Sequence, residues 1–228
     1  MIFGVLYVVF TQIIRIGGGV ELYPVALLLG VVLFIFFSES TSGALGSLLE
    51  CEALIRKVEF PRLAIPLSAV LTALMNVALN LIAVVVFLLV AGGRVRASWL
   101  ELPFLVLALA LFTTGLGMLL SALFVRYRDV KPIWEVVLQV LFYGSPVFYP
   151  IDVVIERSEL AAKLMMLNPF AAIIQQGRHA LIAPSHPSAG DVLGSDLLLA
   201  APVAITLAVV ALGFWVFSRR APGIAEEI

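Results

Sequence analysis

Blocks of almost uninterrupted apolar sequence recur along this chain, and the longest, residues 63–92, contains no Asp, Glu, Lys or Arg. A bilayer core about 30 Å thick, crossed by a helix rising about 1.5 Å per residue, needs roughly 20 such residues per span. Of the 228 residues 62% are hydrophobic and 13% charged, and the mean hydropathy is +1.13. Soluble domains sit near 45–50% apolar and about 25% charged. The expected fold is therefore an all-α membrane protein, one domain over residues 1–228, with about six transmembrane helices.

The charges sum to −1 and fall in short runs between the apolar blocks. That pattern leaves nucleic acid out as a partner. The single cysteine, Cys51, excludes an intrachain disulfide. With only His179 and His186 beside it there is no ligand spacing for zinc, so no metal is expected, and both histidines read as surface residues. No phosphate-cradling glycine loop surrounds Lys57, Lys131 or Lys163. No catalytic residue and no cofactor is assigned to this chain, and any ATP has to be handled by another.

Residues 2–14 form a first apolar block too short for a full span, ending at Arg15 and a run of three glycines. It lacks the basic start and small-residue cleavage site of a signal peptide and reads as a partial first span, as if the chain were truncated at its N-terminus. A second block begins near Tyr23 and Pro24 and runs into the polar stretch 38–42, which puts Glu39 at or near membrane depth. Residues 48–62 follow as a short amphipathic surface helix. There Leu48, Cys51, Leu54, Ile55 and Val58 make an apolar stripe and Glu50, Glu52, Arg56, Lys57 and Glu59 stay off it; Pro61 stops it.

Within 63–92 the residues Ser68, Thr72, Asn76 and Asn80 recur at four-residue intervals, giving one polar face that has to meet other helices or a wet cavity. A fourth block, 103–125, carries Gly115 and Gly117, a sign of close helix packing. The basic run 126–131 contains Asp129, positioned to cap a helix opening near Pro132. The fifth block carries Glu135, Gln139 and Tyr143 on one stripe and ends in an aromatic segment, 143–150, broken by Pro146 and Pro150. Residues 150–196 are mixed and read as interfacial or re-entrant short helices, with an amphipathic piece at 170–181. The block 197–217 is a clear last span closed by Ser218, Arg219 and Arg220. If lysine and arginine mark the cytoplasmic side, Arg56, Lys57, Arg62, Arg126, Arg128, Lys131, Arg219 and Arg220 lie inside, and so does the C-terminus.

The strings Leu54 to Arg62, Phe124 to Val130, Leu141 to Pro150, and Leu167 to Phe170 with Gln175, Gln176 and Arg178 resemble, in order and spacing, the permeases of type-2 ABC exporters. The resemblance is to the branch that handles polysaccharides and polyol phosphates, such as O-antigen, capsule and teichoic acid. It implies a half-transporter in the bacterial cytoplasmic membrane. Two copies would join two copies of a separate ATPase subunit, which holds the ATP and Mg, and would move a lipid-linked glycan outward. It also implies that the cytoplasmic coupling helix, here Glu50, Glu52, Ala53, Leu54, Arg56 and Lys57 within 48–62, docks on that ATPase. A type-2 exporter of a drug or small lipophile is the alternative. An embedded enzyme would want a cluster of acids or histidines at membrane depth, and a secondary transporter inverted repeats; neither is visible.

Two readings stay open for several residues. Glu39 is either a functional or paired intramembrane acid or an interfacial one that reaches water. Glu135, Gln139 and Tyr143, with Phe142, Phe148 and Tyr149 offering ring faces to sugars, either line a path for substrate or serve packing and the aromatic enrichment of membrane interfaces. Asn76 and Asn80 read as helix–helix hydrogen-bond partners.

Overall fold

The structure, a computed structural model, describes residues 22–51, 61–182 and 186–220. Among them every regular element is helical: α1 (Tyr23–Glu50), α2 (Ala64–Val90), a 3-10 turn (Ala97–Leu100), α3 (Glu101–Arg126), α4 (Val130–Gly144), α5 (Asp152–Arg157), α6 (Glu159–Met166), α7 (Pro169–Leu181), α8 (Ala189–Leu193), a second 3-10 turn (Asp196–Leu199) and α9 (Ala200–Arg220). Four stretches are long and apolar enough to cross a bilayer: Tyr23–Glu50, Ala64–Val90, Ala97–Arg126 and Leu197–Arg220. The partial first span at 2–14 and most of the amphipathic stretch 48–62 lie outside the described residues. The fifth block forms α4, whose 15 residues reach about 22 Å, short of a full crossing.

Helix α1 runs through the polar stretch 38–42 and continues to Glu50, so residues 48–50, read from the sequence as the start of the surface helix, belong to α1. The reason is local. Thr41 donates its hydroxyl proton to the Phe37 carbonyl at 2.8 Å and Ser47 donates to Ala44 at 2.7 Å. Such bonds to the preceding turn satisfy the hydroxyls without unwinding the backbone. Buried residues surround nearly its whole circumference, so α1 is the central strut. Helices α2 and α9 are peripheral, with Leu71, Met75, Leu79 and Ile82 exposed on one and Val203, Leu207 and Trp215 on the other; in a bilayer these faces meet lipid.

Small residues set the closest helix contacts, as Gly115 and Gly117 lead one to expect. A Cβ on Gly213 of α9 would collide with the Gly115 carbonyl of α3, and one on Gly117 would come within 2.7 Å of the Ala44 Cβ of α1. Without a hydrophobic drive between helices in lipid, such close approach is what holds spans together.

The two ends of the bundle differ. At one, Leu48, Ile65, Met118, Ala122, Val125 and Phe217 form a cluster, bringing together the ends of all four spans. Arg62, Arg126, Arg128, Lys131, Arg219 and Arg220 belong to this end, with Arg219 stacked over Trp215 at 4.5 Å and Arg220 reaching the Ala122 carbonyl at 3.4 Å. At the other end α5 to α8 form a cap over their own apolar cluster of Ile151, Met166, Ala171, Val192 and neighbours. Side-chain caps start these short helices: Ser158 for α6, Asn168 for α7, and a Ser188–Asp191 capping box for α8. The Ser188 hydroxyl and amide hold the Asp191 carboxyl below its usual range.

Two sequence expectations are corrected. Helix α4 starts directly after Asp129, whose side chain makes no capping bond. His186 is buried and its carbonyl lies 2.7 Å from His179 Nδ1, so this residue rests on the cap instead of standing in solvent.

Candidate functional site

Helix α4 lies against α1 through Trp134 and Leu138, its two buried residues. The indole Nε1 donates to Thr41 Oγ1 at 3.1 Å and the ring rests against Phe37 at 6.2 Å. Thr41, which keeps α1 helical through the polar stretch, thus also anchors α4. With that face fixed, the 3.6-residue period leaves Glu135, Gln139 and Tyr143 on the open side; all three are exposed.

Between the two helices runs a groove of about 470 Å³, lined by Val31, Phe34, Ile35, Ser38 and Glu39 of α1 and by Leu138, Gln139, Phe142 and Tyr143 of α4. The structure therefore brings Glu39 to the Gln139 and Tyr143 stripe, a juxtaposition that sequence spacing does not reveal. Aromatic rings continue the groove toward the capped end. Phe34 meets Phe142 edge-on at 4.8 Å, Phe142 meets Phe148 at 5.5 Å, Tyr143 meets Phe148 at 5.9 Å and Phe148 meets Tyr149 at 5.0 Å. Three of these, Phe34–Phe142, Tyr143–Phe148 and Phe148–Tyr149, are edge-to-face, an arrangement that fixes ring orientation as well as burying area.

The segment carrying Phe148 and Tyr149 has no helix of its own and is held from outside. Arg178 of α7, 2% exposed, donates from Nη2 to the Val147 carbonyl at 2.8 Å and from Nη1 to the Tyr149 carbonyl at 2.9 Å. Tyr23, at the start of α1, donates to the Phe148 carbonyl at 2.6 Å. Gly30 lets the turn approach α1, because a Cβ there would strike the Val147 carbonyl. Three successive carbonyls are thus satisfied by side chains, the requirement for irregular backbone away from water. Burial draws the Arg178 pKa down to about 10, against the pull of Tyr23, Tyr149 and Asp152, and still leaves it cationic at neutral pH. Burial raises the Tyr149 phenol above its usual value, so it remains a donor, to the Tyr143 carbonyl at 3.3 Å and toward the Met165 sulfur at 3.7 Å.

A second groove of about 400 Å³ lies between α1 and α2 and includes Glu39, Ser47, Glu50, Ser68, Thr72 and Asn76. Asn76 donates to Glu39 Oε2 at 3.5 Å. Ser68 and Thr72 bond back into their own helix. Glu39 thus borders both grooves, while Asn80, one turn beyond Asn76, borders neither. Glu135 lies one turn from Gln139 toward the basic end. Of the coupling-helix residues only Glu50 is described; Glu52, Ala53, Leu54, Arg56 and Lys57 lie outside the described residues. Among the described residues no three His, Cys, Asp or Glu side chains converge to hold a metal.

Sequence reasoning passed over Tyr23, Gly30, Phe34, Thr41 and Trp134, and met Arg178 only inside a motif. A single arginine in the amphipathic stretch 170–181 and a lone glycine within an apolar run were the available signals.

Four apolar helices long enough to cross a bilayer, with a partly polar, aromatic groove between one of them and the short α4, define a multi-pass helical membrane protein. Residues 1–182 match the profile of the ABC-2 type transporter family, and the chain belongs to that family. Two relatives from Klebsiella pneumoniae, each named O-antigen export system permease protein RfbA, are 27% and 28% identical over 173 residues, 75% of this chain and 65% of theirs. A relative of the same name from Myxococcus xanthus is 28% identical over 207 residues, 90% of this chain and 76% of its own. The chain thus spans just under two thirds of the length of the Klebsiella relatives.

Proposed function

We propose that this chain is the permease subunit of an ATP-driven exporter that moves a lipid-linked polysaccharide or teichoic-acid-like polymer across the bacterial cytoplasmic membrane. The observation that carries the reading is the α1/α4 groove, where Phe34, Phe142 and Tyr143 stand beside Glu39 and Gln139. Ring faces give a sugar chain a surface to slide on, and the carboxylate and amide exchange hydrogen bonds with its hydroxyls without fixing any one unit. The names of the Klebsiella and Myxococcus relatives favour a glycan over a small lipophile.

In this reading a second copy faces the exposed side of α4 and completes the path. Energy enters at the basic end, which is cytoplasmic together with the C-terminus. A separate ATPase binds ATP and Mg and engages residues 48–62 through Glu50, Glu52, Ala53, Leu54, Arg56 and Lys57. Docking there would pass nucleotide-driven closure into α1 and α2, the two spans that flank it, as a rigid displacement.

The test is co-expression with the candidate ATPase, purification of the complex and ATP-dependent export of a lipid-linked glycan from vesicles. Cysteine at Ala53 in a Cys51→Ser background is expected to cross-link to the ATPase. A purified complex that hydrolyses ATP and exports no glycan refutes the reading.

A further inference from the structure

The α1/α4 groove has a sign. Its charged side chain is Glu39; on the open face of α4, Glu135 follows one turn beyond the lining and Lys131 a further turn along the same stripe. Glu39 also borders the α1/α2 groove, where Glu50 is the other charged group. No lysine or arginine lines either groove among the described residues. Among the described residues the other cations lie outside both grooves: six at the basic end of the bundle, Lys131 at the foot of the α4 stripe among them, Arg94 and Arg96 in the loop before α3, and Arg157 and Lys163 on the cap. Lys163 is paired with Glu159 at 2.6 Å. Arg178 does not line the groove, and two of its nitrogens are committed to backbone carbonyls.

From this distribution we infer that the groove selects for a polymer whose repeating units are uncharged, and against polyol-phosphate and other polyanionic chains. This inference rests on the proposed export function and narrows its substrate class. The remaining lining is suited to neutral sugars: ring faces from Phe34, Phe142 and Tyr143, a carbonyl and an amine on Gln139, and the Ser38 hydroxyl. A neutral glycan donates its hydroxyls to Glu39 and loses nothing to the field. A chain carrying one phosphate per unit meets the Glu39 carboxylate at membrane depth, where water screens it less than at the surface. In a two-fold assembly every such carboxylate occurs twice. The anionic group that links a glycan to its lipid is a single charge cluster and passes once, whereas repeating phosphates would occupy the groove throughout export.

The experiment uses the full complex of this chain with its ATPase in proteoliposomes. It is supplied with two probes on the same polyprenyl diphosphate anchor and of equal length, a neutral mannan and a poly(glycerol phosphate). The mannan is expected to be exported at least about tenfold faster at low salt, as like-charge exclusion of this kind implies, with the ratio shrinking as salt rises. In the Glu39→Gln/Glu135→Gln variant the ratio is expected to fall toward one. If that double variant fails to assemble, Glu135→Gln alone, on the exposed face of α4, must lower the ratio. Equal export of both probes by the wild-type complex overturns this inference and leaves the export function standing, as does a ratio the variants do not change. Export of neither probe by a complex that hydrolyses ATP overturns both.

Discussion

The guanidinium of Arg178 on α7 holds the carbonyl oxygen of Val147 at 2.8 Å, in the turn that follows α4. Among the described residues no carboxylate comes within ion-pair distance of this buried cation, so backbone dipoles carry its solvation. A planar fork with five donors can serve two carbonyls at once; a lysine ammonium on a flexible stem cannot do so with the same geometry.

Replacing Arg178 with Met orphans the Val147 and Tyr149 carbonyls. At about 1–3 kcal/mol for each buried group, the loss is expected to total roughly 2–6 kcal/mol and to lower the unfolding temperature of the detergent-solubilised protein. Arg178→Lys should fall between Met and wild type. A thermal shift assay separates the three, and an unchanged melting temperature for Met would refute the clamp.

At the crossing of α3 and α9, Gly213→Val places a side chain where the Gly115 carbonyl already lies. Overpacking of this kind costs at least about 1–3 kcal/mol. Limited proteolysis is expected to cut the connection before α9 faster in the variant than in wild type, while Ala208→Val, on the exposed side of α9, should leave the rate unchanged.

Trp134→Phe and Thr41→Val each remove one partner of the bond that fixes α4 to α1. Each is expected to cost about 1–2 kcal/mol. Because both delete the same interaction, the double variant should cost less than the sum. Additive losses in a denaturation series would show that the indole and the hydroxyl act independently.

Tyr143 is 60% exposed, so Tyr143→Ala should change stability by no more than about 0.5 kcal/mol. Glycan export should nevertheless fall by about fivefold, the worth of one aromatic contact of ~1 kcal/mol, with ATPase binding retained. Tyr149→Ala is expected to lower export too, with a stability loss because its ring is half-buried against Phe148. Wild-type export in both would remove the aromatic path from consideration.

Much of this was legible in the sequence, and for a definite reason. In hydrocarbon a backbone has to bond to itself, so a long apolar block can only be helical and its length is readable from composition. The spans at 63–92 and 103–125 emerged within a few residues of Ala64–Val90 and Glu101–Arg126. The shortness of α4 and the non-spanning character of 150–196 were equally readable. The extent of α1 was less readable, because whether the hydroxyls of 38–42 are satisfied inside a helix depends on a carbonyl partner one turn back.

The sequence by itself determined the solvent, the helices, the clustering of basic residues and the stripe of Glu135, Gln139 and Tyr143, since each depends on neighbours within a turn or two. Only the tertiary structure decided that Glu39 shares a groove with that stripe, that Trp134 finds Thr41 across 93 positions, and that Arg178 reaches back 31 positions to Val147. These contacts join side chains far apart along the chain. No local periodicity encodes them; they follow from which faces the glycine crossings and the Trp134 anchor allow to meet.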